Sequence, residues 1–294
     1  MLDAAGDVQM SWGDPDHVMM ARSSAKPMQA AAMVRAGLDL PDDLLALAAS
    51  SHSGEAVHLA GVHRILDTAG LGVEALQTPA DYPLEPRARD AWVQAGRRAS
   101  SLGMNCSGKH AAMLATCVQR GWDPGTYLDQ QHPLQQAILE EVRRMTDDEI
   151  PEVGVDGCGA PVHVMRLSGL ARSLSVAVCA EEGSPRRRVV EAMRAHPELV
   201  GGRHRDVTAF MRAVPGMVAK DGAEGVYVAV LLDGTSIAMK VDDGAARGRQ
   251  VAFARILQLL QPEGADADAL AALAELPVLG GGRPVGSVAS TLRA

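Results

Sequence analysis

The stretch Arg22-Ser23-Ser24-Ala25-Lys26-Pro27 places a hydroxyl and an amine three residues apart, where a helix is predicted to begin. Residues at this spacing lie on one face of a helix, so Ser23 and Lys26 would be neighbours. Serine is a weak nucleophile until a base takes its proton, and a lysine that burial keeps neutral can be that base. Ser-x-x-Lys is the sequence signature of such a pair. The alternative is that Ser23 or Ser24 is only a helix N-cap, a position that serine favours.

Lysine is scarce in this chain, which gives weight to each lysine that is present. Of the 28 basic residues only four are lysines, namely Lys26, Lys109, Lys220 and Lys240. Either basic residue can supply surface charge, but only a buried lysine can lose its proton near neutral pH, because a guanidinium stays charged. The pattern indicates chemical roles for these lysines, and drift in base composition is the alternative.

Length, composition and net charge limit the classes of protein to which this chain can belong. With 294 residues, 47% of them hydrophobic, the chain can bury a large core, and we expect one domain over 1–294 with its helical part at about 27–150. A net charge of −8 without a basic patch argues against nucleic acid as a partner. No signal peptide or membrane-spanning run is evident, so we expect a cytoplasmic protein that does not bind membranes and keeps its four cysteines reduced.

Two helices are predicted around the Ser-x-x-Lys stretch. Pro27 suits the first turn of a helix that stops at Gly37. A second, apolar helix at 44–49 leads into the polar segment Ser50-Ser51-His52-Ser53-Gly54-Glu55. Polar residues at the end of a buried element are typical of site groups on a loop. Alternatively, this segment merely caps the next helix, predicted at 56–69.

The segment Asn105-Cys106-Ser107-Gly108-Lys109-His110 sets a thiol three residues before an amine, ahead of a helix predicted at 111–120. A thiol beside an amine and an imidazole is consistent with a nucleophile, a metal ligand or simply a polar helix start. The glycine-rich turn at 156–161 holds a second cysteine, Cys158, and its glycines permit close approach of a ligand. Two such cysteines are compatible with a shared metal, although their spacing is not that of a zinc finger.

Further elements are predicted from local patterns. Strands are expected at 7–12, 153–155, 218–230 and 236–241. Helices are expected at 133–145, with a solvated charged face, at 184–196 and, as the last element, at 247–260. Residues 78–100 are expected to form a surface connection. Within 218–230, Lys220-Asp221-Gly222 matches the Lys-x-Gly element that accompanies Ser-x-x-Lys in β-lactamase-like enzymes.

Six short motifs occur along most of the chain. They are Arg-Ser-Ser-Ala-Lys-Pro (22–27), Ser-His-Ser-Gly-Glu (51–55), Asn-Cys-Ser-Gly-Lys-His (105–110), Asp-Gly-Cys-Gly-Ala-Pro (156–161), Lys-Asp-Gly-Ala-Glu-Gly (220–225) and Lys-Val-Asp-Asp-Gly (240–244). As an ordered set they resemble the L-asparaginase family typified by the inducible rhizobial enzyme. The resemblance implies an α/β (α+β) fold similar to serine β-lactamases and glutaminases, with a central, mostly antiparallel sheet flanked by helices and a helical subdomain.

The resemblance also implies an activity and roles for residues. The activity is hydrolysis of L-asparagine to aspartate and ammonia, with Ser23 as nucleophile and Lys26 as its base. Ser51 and Lys220 would form a second Ser-Lys pair, and Ser51 is preferred to Ser53 because of its spacing from the first cysteine motif. The expected substrate-binding residues are Arg22, His52, Asp156 and Gly222.

A zinc site is implied by the same resemblance. Cys106, Lys109 and Cys158 would bind the metal together with water, and the metal would aid substrate placement more than it activates water. Lys109 would need a neutral amine, its pKa lowered by the metal and by burial. A homodimer is expected by family likeness and by the prevalence of twofold dimers. Relative to the family, the region before residue 7 and the connection at 37–44 look short, which bears on stability more than on activity.

Two alternatives remain open from the sequence. A glutaminase or a β-lactam-type acyl hydrolase would carry the same Ser-x-x-Lys and Lys-x-Gly elements. A zinc- or amino-acid-binding homologue with impaired catalysis would keep the motifs without turnover. Ammonia release from asparagine and glutamine, compared side by side, separates these readings.

Overall fold

Helices and short antiparallel strands alternate along the chain, giving the predicted α+β class. The computed structural model describes residues 1–150 and 152–293. Within them the α-helices are α1 Lys26–Arg35, α2 Asp42–Ala48, α3 Ala56–Thr68, α4 Pro86–Gln94, α5 Ser107–Arg120, α6 Pro133–Thr146, α7 Leu167–Val178, α8 Pro185–Ala195, α9 Pro197–Val200, α10 Asp206–Ala213, α11 Ala246–Leu260 and α12 Ala267–Leu273. None of these helices has the length and apolar character needed to cross a membrane.

The strands pair in three small sheets. They are β1 Val18–Met20, β2 Val153–Val155, β3 Pro161–Arg166, β4 Val218–Asp221, β5 Val226–Val230, β6 Ser236–Lys240, β7 Glu275–Gly280 and β8 Arg283–Ala289. The strand orders are β1-β3-β2, β4-β5-β6 and β7-β8, all antiparallel. The antiparallel pairing agrees with expectation, whereas the strands expected in one central sheet are divided between the first two sheets.

Helix α1 lies in the interior of the helical part. All its side chains from Lys26 to Val34 are buried, and α6 and α8 pack against it. Three successive alanines at 30–32 leave room for this close packing. A helix buried on all sides carries its polar residues into the interior as well. The amine of Lys26 is therefore inside the protein from the first residue of the helix.

The β4-β5-β6 sheet contacts the turn before α1. Every residue of β4 and β5 is buried, and an aromatic cluster supports them, in which the Phe210 and Phe253 ring centroids lie 4.8 Å apart and those of Tyr227 and Phe253 4.4 Å. Ser24 Oγ donates to the backbone oxygen of Lys220 at 3.4 Å. This contact joins the turn before α1 to the end of β4.

The strand predicted at 7–12 is wrong. Within this fully described segment only Val8 forms a bridge, to Leu2, which also pairs with Ser236 of β6. The alternation of polarity does not bury one face, because Val8 and Trp12 remain 51% and 40% exposed. The first strand is instead β1.

Other predicted boundaries also change. The connection at 78–100 contains α4, which is capped by Glu85. The segment 218–230 is a hairpin of two strands, β4 and β5, because Glu224 and Gly225 adopt positive φ between them. Helix α11 is not the last element, since α12 and the β7-β8 hairpin follow it.

The charged face of α6 is only partly solvated. Glu140 is exposed and pairs with Arg144 at 2.8 Å, as expected of a surface helix. Glu141 is buried and accepts from Arg35 Nε at 2.7 Å and from Arg186 Nε at 2.6 Å. The charge pattern alone does not distinguish these two neighbours.

Candidate active site

A cleft of about 410 Å³ forms where four parts of the chain meet. They are the 3₁₀ turn Arg22–Ala25 before α1, the loop after α2, the turn between β4 and β5, and the start of α11. Residues from each of these parts line the cleft, among them Ser23, Ser51, Gly222, Glu224 and Arg249, and Leu84, Asn105 and Arg205 line it from other segments. The two serines that sequence motifs predicted to be catalytic thus lie in one cavity.

Ser23 is placed by a strained turn. The preceding residue, Arg22, has φ of 50°, a conformation that non-glycine residues rarely adopt. Its side chain donates from Nε to Asp156 Oδ1 at 2.7 Å and also pairs with Glu224. Strained backbone of this kind persists only where surrounding contacts hold it, and it is common at functional sites. Ser23 is half-buried and lies within the 3₁₀ turn, three residues before Lys26, the first residue of α1.

The amine of Lys26 is bound to Ser51. Nζ donates to Ser51 Oγ at 2.9 Å, to the backbone oxygen of Ser50 at 2.6 Å and to Cys106 Sγ at 3.0 Å. The spacing argument had predicted a pair with Ser23 instead. An ammonium group has three donors, and within the described residues these three acceptors take them. Ser23 lies in the 3₁₀ turn, outside the α-helical geometry on which the predicted contact relied.

Lys220 was predicted to pair with Ser51, but its amine contacts the next residue. Nζ donates to the backbone oxygen of Asp221 at 2.7 Å and to its Oδ1 at 2.8 Å. Burial, with a smaller effect from the charge of Lys26, outweighs the raising effect of Asp221 and lowers the pKa of Lys220 to about 8. Lys220 is therefore an amine that titrates close to physiological pH.

Asp221 is surrounded by cations. Besides Lys220, it pairs with Arg205, and Arg249 Nη1 lies 3.7 Å from its Oδ2. Burial alone would raise the pKa of this carboxyl, but the three cations outweigh burial and hold the pKa well below its usual range. Asp221 thus remains ionised.

A thiol cluster lies beside Lys26. Cys106 precedes α5, which begins at Ser107 and so four residues earlier than predicted. Cys158 comes from the glycine-rich turn after β2, and Lys109 Nζ donates to its sulfur at 3.2 Å. All three predicted metal ligands, Cys106, Lys109 and Cys158, are buried.

The two thiols differ in their pKa values. A hydrogen bond from Cys158 holds the pKa of Cys106 well below its ordinary value, and the amines of Lys26 and Lys109 lower it further. The same hydrogen bond, together with burial, raises the pKa of Cys158. Burial alone would lower the pKa of Lys109, but the charges of Cys158 and Cys106 outweigh burial and raise it. Binding of a metal through Lys109 would therefore release a proton.

The chemistry of this donor set suits zinc. Two thiols in one buried cluster provide sulfur donors of the kind that zinc binds, whereas the nitrogen ligand of a zinc site is usually an imidazole and here would be the amine of Lys109. Among the described residues no three His, Cys, Asp or Glu side chains are placed to hold a metal. Lys109 would thus have to be the third protein ligand.

The predicted substrate-binding residues fall in different positions. Arg22 and Asp156 form an ion pair, and the pKa of Asp156 is lowered by the Arg22 hydrogen bond despite its burial. Gly222 lines the cleft, where a Cβ would lie 2.9 Å from Ser24 Oγ. His52 lies behind the cleft, fully buried, with Nε2 2.9 Å from the hydroxyl of residue 107.

His52 is held as a neutral ring. Its Nδ1 accepts from the backbone N–H of Gly54 at 3.2 Å, which leaves Nε2 to donate to Ser107 Oγ. Burial, and then the neighbouring His58 and Lys26, hold the pKa of His52 well below its ordinary value. These contacts position the loop that carries Ser51 and do not reach the cavity.

The geometry distinguishes Ser51 from Ser53. Ser51 lines the cleft and accepts from Lys26, whereas Ser53 Oγ is buried and has no hydrogen-bond partner among residues 1–150 and 152–293. Arg205 and Arg249 also line the cleft, although sequence reasoning had not selected them. They come from segments without a motif of their own, and only the folded chain brings them to Asp221.

Comparison with models of protein families identifies a family for this chain. A model of the L-asparaginase II family matches residues 1–290, which include all six motifs and every residue of the cleft. No curated protein matches the chain.

Proposed function

The chain belongs to the L-asparaginase II family and is an asparaginase, and from this premise we propose that it hydrolyses L-asparagine through an acyl-enzyme formed on Ser23. One observation carries the serine mechanism. Ser23 and Ser51 line a single cleft, and the buried amine of Lys26 hydrogen-bonds one of these two hydroxyls. A serine hydroxyl within hydrogen-bond reach of a buried amine is typical of sites of covalent catalysis, and here that hydroxyl, Ser51, shares the cleft with Ser23.

Ser23 is the proposed nucleophile because of its place in the fold. It is more accessible than Ser51 and lies in the 3₁₀ turn that leads into α1, three residues before Lys26, and backbone N–H groups at a helix start favour an anion. Its Oγ would bond to the side-chain carbonyl carbon of asparagine, and the oxyanion would be stabilised by N–H groups of this turn and of the chain after Lys220. Collapse of that adduct breaks the C–N bond and releases ammonia. Water then hydrolyses the ester to aspartate.

Lys26 is the proposed proton acceptor. Ser51 accepts a hydrogen bond from Lys26 and lies in the same cleft as Ser23. When Lys26 is deprotonated it gives up one of its three hydrogen bonds, and Ser51 would then pass the Ser23 proton to the amine. The same proton is then given to the departing ammonia. Lys220, whose amine is bound to Asp221, would contribute positive charge beside Gly222 rather than act directly on a serine.

In a second assignment, Ser51 instead of Ser23 is the nucleophile. The 2.9 Å contact between Lys26 Nζ and Ser51 Oγ favours Ser51 as the nucleophile, with Lys26 as its direct base. Peptide mapping by mass spectrometry after an acid quench during asparagine turnover separates the two assignments, because the aspartyl ester remains on the residue that attacked. We expect the adduct on Ser23. An adduct on Ser51 would establish the second assignment.

We also propose that Cys106, Lys109 and Cys158 hold zinc. When bound, the metal would supply a positive charge near Asp156 that helps to place the substrate. The chain's own residues provide the test: we expect one zinc per chain by elemental analysis, and loss of zinc in Cys106→Ser and Cys158→Ser. Cys117→Ser is the matched control, because Cys117 is also buried but its pKa is raised to about 12 by burial. Equal zinc content in all variants would contradict the assignment.

Ammonia release from L-asparagine, measured beside L-glutamine, tests the proposed function. We expect asparagine to be the better substrate. Preferential turnover of glutamine or of a chromogenic β-lactam would contradict it.

A further inference from the structure

Two arginines of the cleft have no part in the proposed proton transfers. Arg205 lies just before α10 and Arg249 in the first turn of α11, and their side chains are 25% and 8% exposed. They approach Asp221 together: Arg205 pairs with Oδ2, and Arg249 Nη1 lies 3.7 Å from the same atom. The guanidinium groups thus converge on one wall of the cavity that contains Ser23.

Arg249 is fixed in position but incompletely hydrogen-bonded. Its Nη2 donates to Asp206 Oδ2 at 2.7 Å, its Nη1 donates to the backbone oxygen of Gly222 at 3.3 Å, and its guanidinium lies 5.3 Å from the centroid of the Tyr227 ring. Its Nε is buried and has no partner in the described part of the chain. A buried donor without an acceptor destabilises its surroundings. The guanidinium of Arg249, a lining residue of the cleft, therefore has unused hydrogen-bonding capacity.

Most N–H donors of the Arg205 side chain are unused in the described residues. In the described residues its side chain makes one hydrogen bond, from Nη2 to Asp221. A guanidinium carries five N–H donors in a planar fork that matches a carboxylate. Its partial exposure leaves the remaining donors accessible from the cleft.

The charges of this wall favour an anion. Three cations, Lys220, Arg205 and Arg249, face two carboxylates, Asp206 and Asp221. The pKa of Lys220, about 8, leaves that amine largely protonated at neutral pH. Among these five residues one positive charge is in excess, and a bound carboxylate would balance it. The further carboxylate that lines the cleft, Glu224, is paired with Arg22.

We propose that Arg205 and Arg249 bind the α-carboxylate of the amino-acid substrate. This inference rests on the proposed hydrolysis of asparagine and adds the group by which the amino acid is recognised. Anchoring the carboxylate at this wall fixes how far the side-chain amide reaches toward Ser23. The arginine pair would thus select both for the negative charge of the α-carboxylate and for the length of the substrate's side chain.

The test uses two ligands that differ only in the α-carboxylate. L-Aspartate, the expected product, carries this group and β-alanine lacks it, so calorimetric titration of both measures its contribution without any turnover. We expect the wild type to bind L-aspartate about 10- to 100-fold more tightly than β-alanine, the range for charge-assisted hydrogen bonds.

The decisive variant is Arg205→Met, with Arg205→Lys as its conservative partner. Arg205→Met should lose most of the preference for L-aspartate, Arg205→Lys should keep part of it, and β-alanine binding should stay within about twofold of wild type. Arg203→Met is the matched control, because Arg203 lies two residues away, is 69% exposed and, among residues 1–150 and 152–293, forms an ion pair with Glu55 alone, at 3.5 Å. It should bind both ligands as the wild type does.

Several outcomes would overturn the inference. They are a wild type without preference for L-aspartate, a preference that survives in Arg205→Met, or equal weakening of both ligands, which would show that Arg205 acts only by holding Asp221. Asparagine turnover by the wild type is a separate measurement. Its absence would contradict the proposed function, whereas the binding preference would still decide the role of the arginines.

Discussion

In the part of the chain that the structure describes, Lys26 Nζ donates a hydrogen bond to Ser51 Oγ at 2.9 Å, across 25 residues of sequence, and none to Ser23. The motif that singles out Lys26 therefore does not contain its hydroxyl partner. Ser23 and Ser51 nevertheless line one cleft, so the amine and both hydroxyls belong to one site. This relationship makes Lys26 the residue that joins the two serine motifs.

Replacement of Lys26 by methionine should abolish most of the activity. The variant keeps the buried aliphatic stem but removes the proposed proton acceptor, and loss of a general base costs about 10²- to 10⁴-fold in rate. The measurement is kcat for asparagine. Lys240→Met is the matched control, since Lys240 is another of the scarce lysines but contacts the backbone of Val241, away from the cleft. Retention of a tenth or more of wild-type kcat by Lys26→Met would exclude Lys26 as the base.

Lys220 should make stability depend on pH in the alkaline range. Its pKa is about 8 in the folded protein against an ordinary value of 10.5, because of burial. Between these values the unfolded chain binds more protons at this residue, so the free energy of unfolding rises with pH. Relative to Lys220→Met, the wild type should gain about 2 kcal/mol between pH 8 and pH 10 in urea unfolding. Parallel curves for the two proteins would contradict the lowered pKa.

Glu141→Gln should destabilise the protein far more than Glu140→Gln. Glu141 is 1% exposed and bridges Arg35 and Arg186, and weakening a buried ion pair leaves its partners without compensation. We expect a loss of about 2–3 kcal/mol in the free energy of unfolding. Glu140 is 53% exposed, and its pair with Arg144 should contribute less than about 0.5 kcal/mol. Equal losses from the two substitutions would show that the buried triad is not stabilising.

Gly222→Ala should disturb the cleft. A Cβ there would lie 2.9 Å from Ser24 Oγ and 3.1 Å from the backbone oxygen of Ala21, so the turn that carries Ser23 must shift. We expect a loss of about 1–3 kcal/mol in stability, the usual cost of overpacking, and a fall in kcat. Gly286→Ala, where no atom lies within 4 Å of the new Cβ, is the control and should behave like the wild type. An unchanged melting temperature and kcat in Gly222→Ala would contradict the close packing.

The sequence predicts most of the helices because their signals are local. Pro27 before an alanine-rich run and Pro133 before a periodic one mark helix starts that the structure confirms. The strand at 7–12 fails because alternation is an equally local signal, whereas a strand needs a partner that only tertiary structure supplies. The hairpin at 218–230 was missed for the opposite reason, since one residue, Glu224, takes the positive φ that sequence assigns more readily to glycine.

The site likewise has features that local motifs predict and features that depend on tertiary structure. Motifs select Ser23, Lys26, Ser51 and Lys220, and the folded chain brings all of them to the cleft or its walls. The motifs do not predict which serine Lys26 contacts, because Lys26 reaches Ser51 only when α1 and α2 have packed together. They also omit Arg205 and Arg249, because an arginine that acquires its role through tertiary contacts leaves no local pattern. Arginine is the common basic residue of this chain, so its identity carries no signal either.

Ammonia release from L-asparagine by the wild type and by Ser23→Ala, assayed side by side with L-glutamine, tests the central claim most directly. We predict turnover of asparagine in preference to glutamine, and a loss of at least about 10³-fold in kcat in Ser23→Ala, because this variant lacks the hydroxyl on which we propose that the acyl-enzyme forms. Full activity of a folded Ser23→Ala, or absence of turnover by the wild type, would contradict the account.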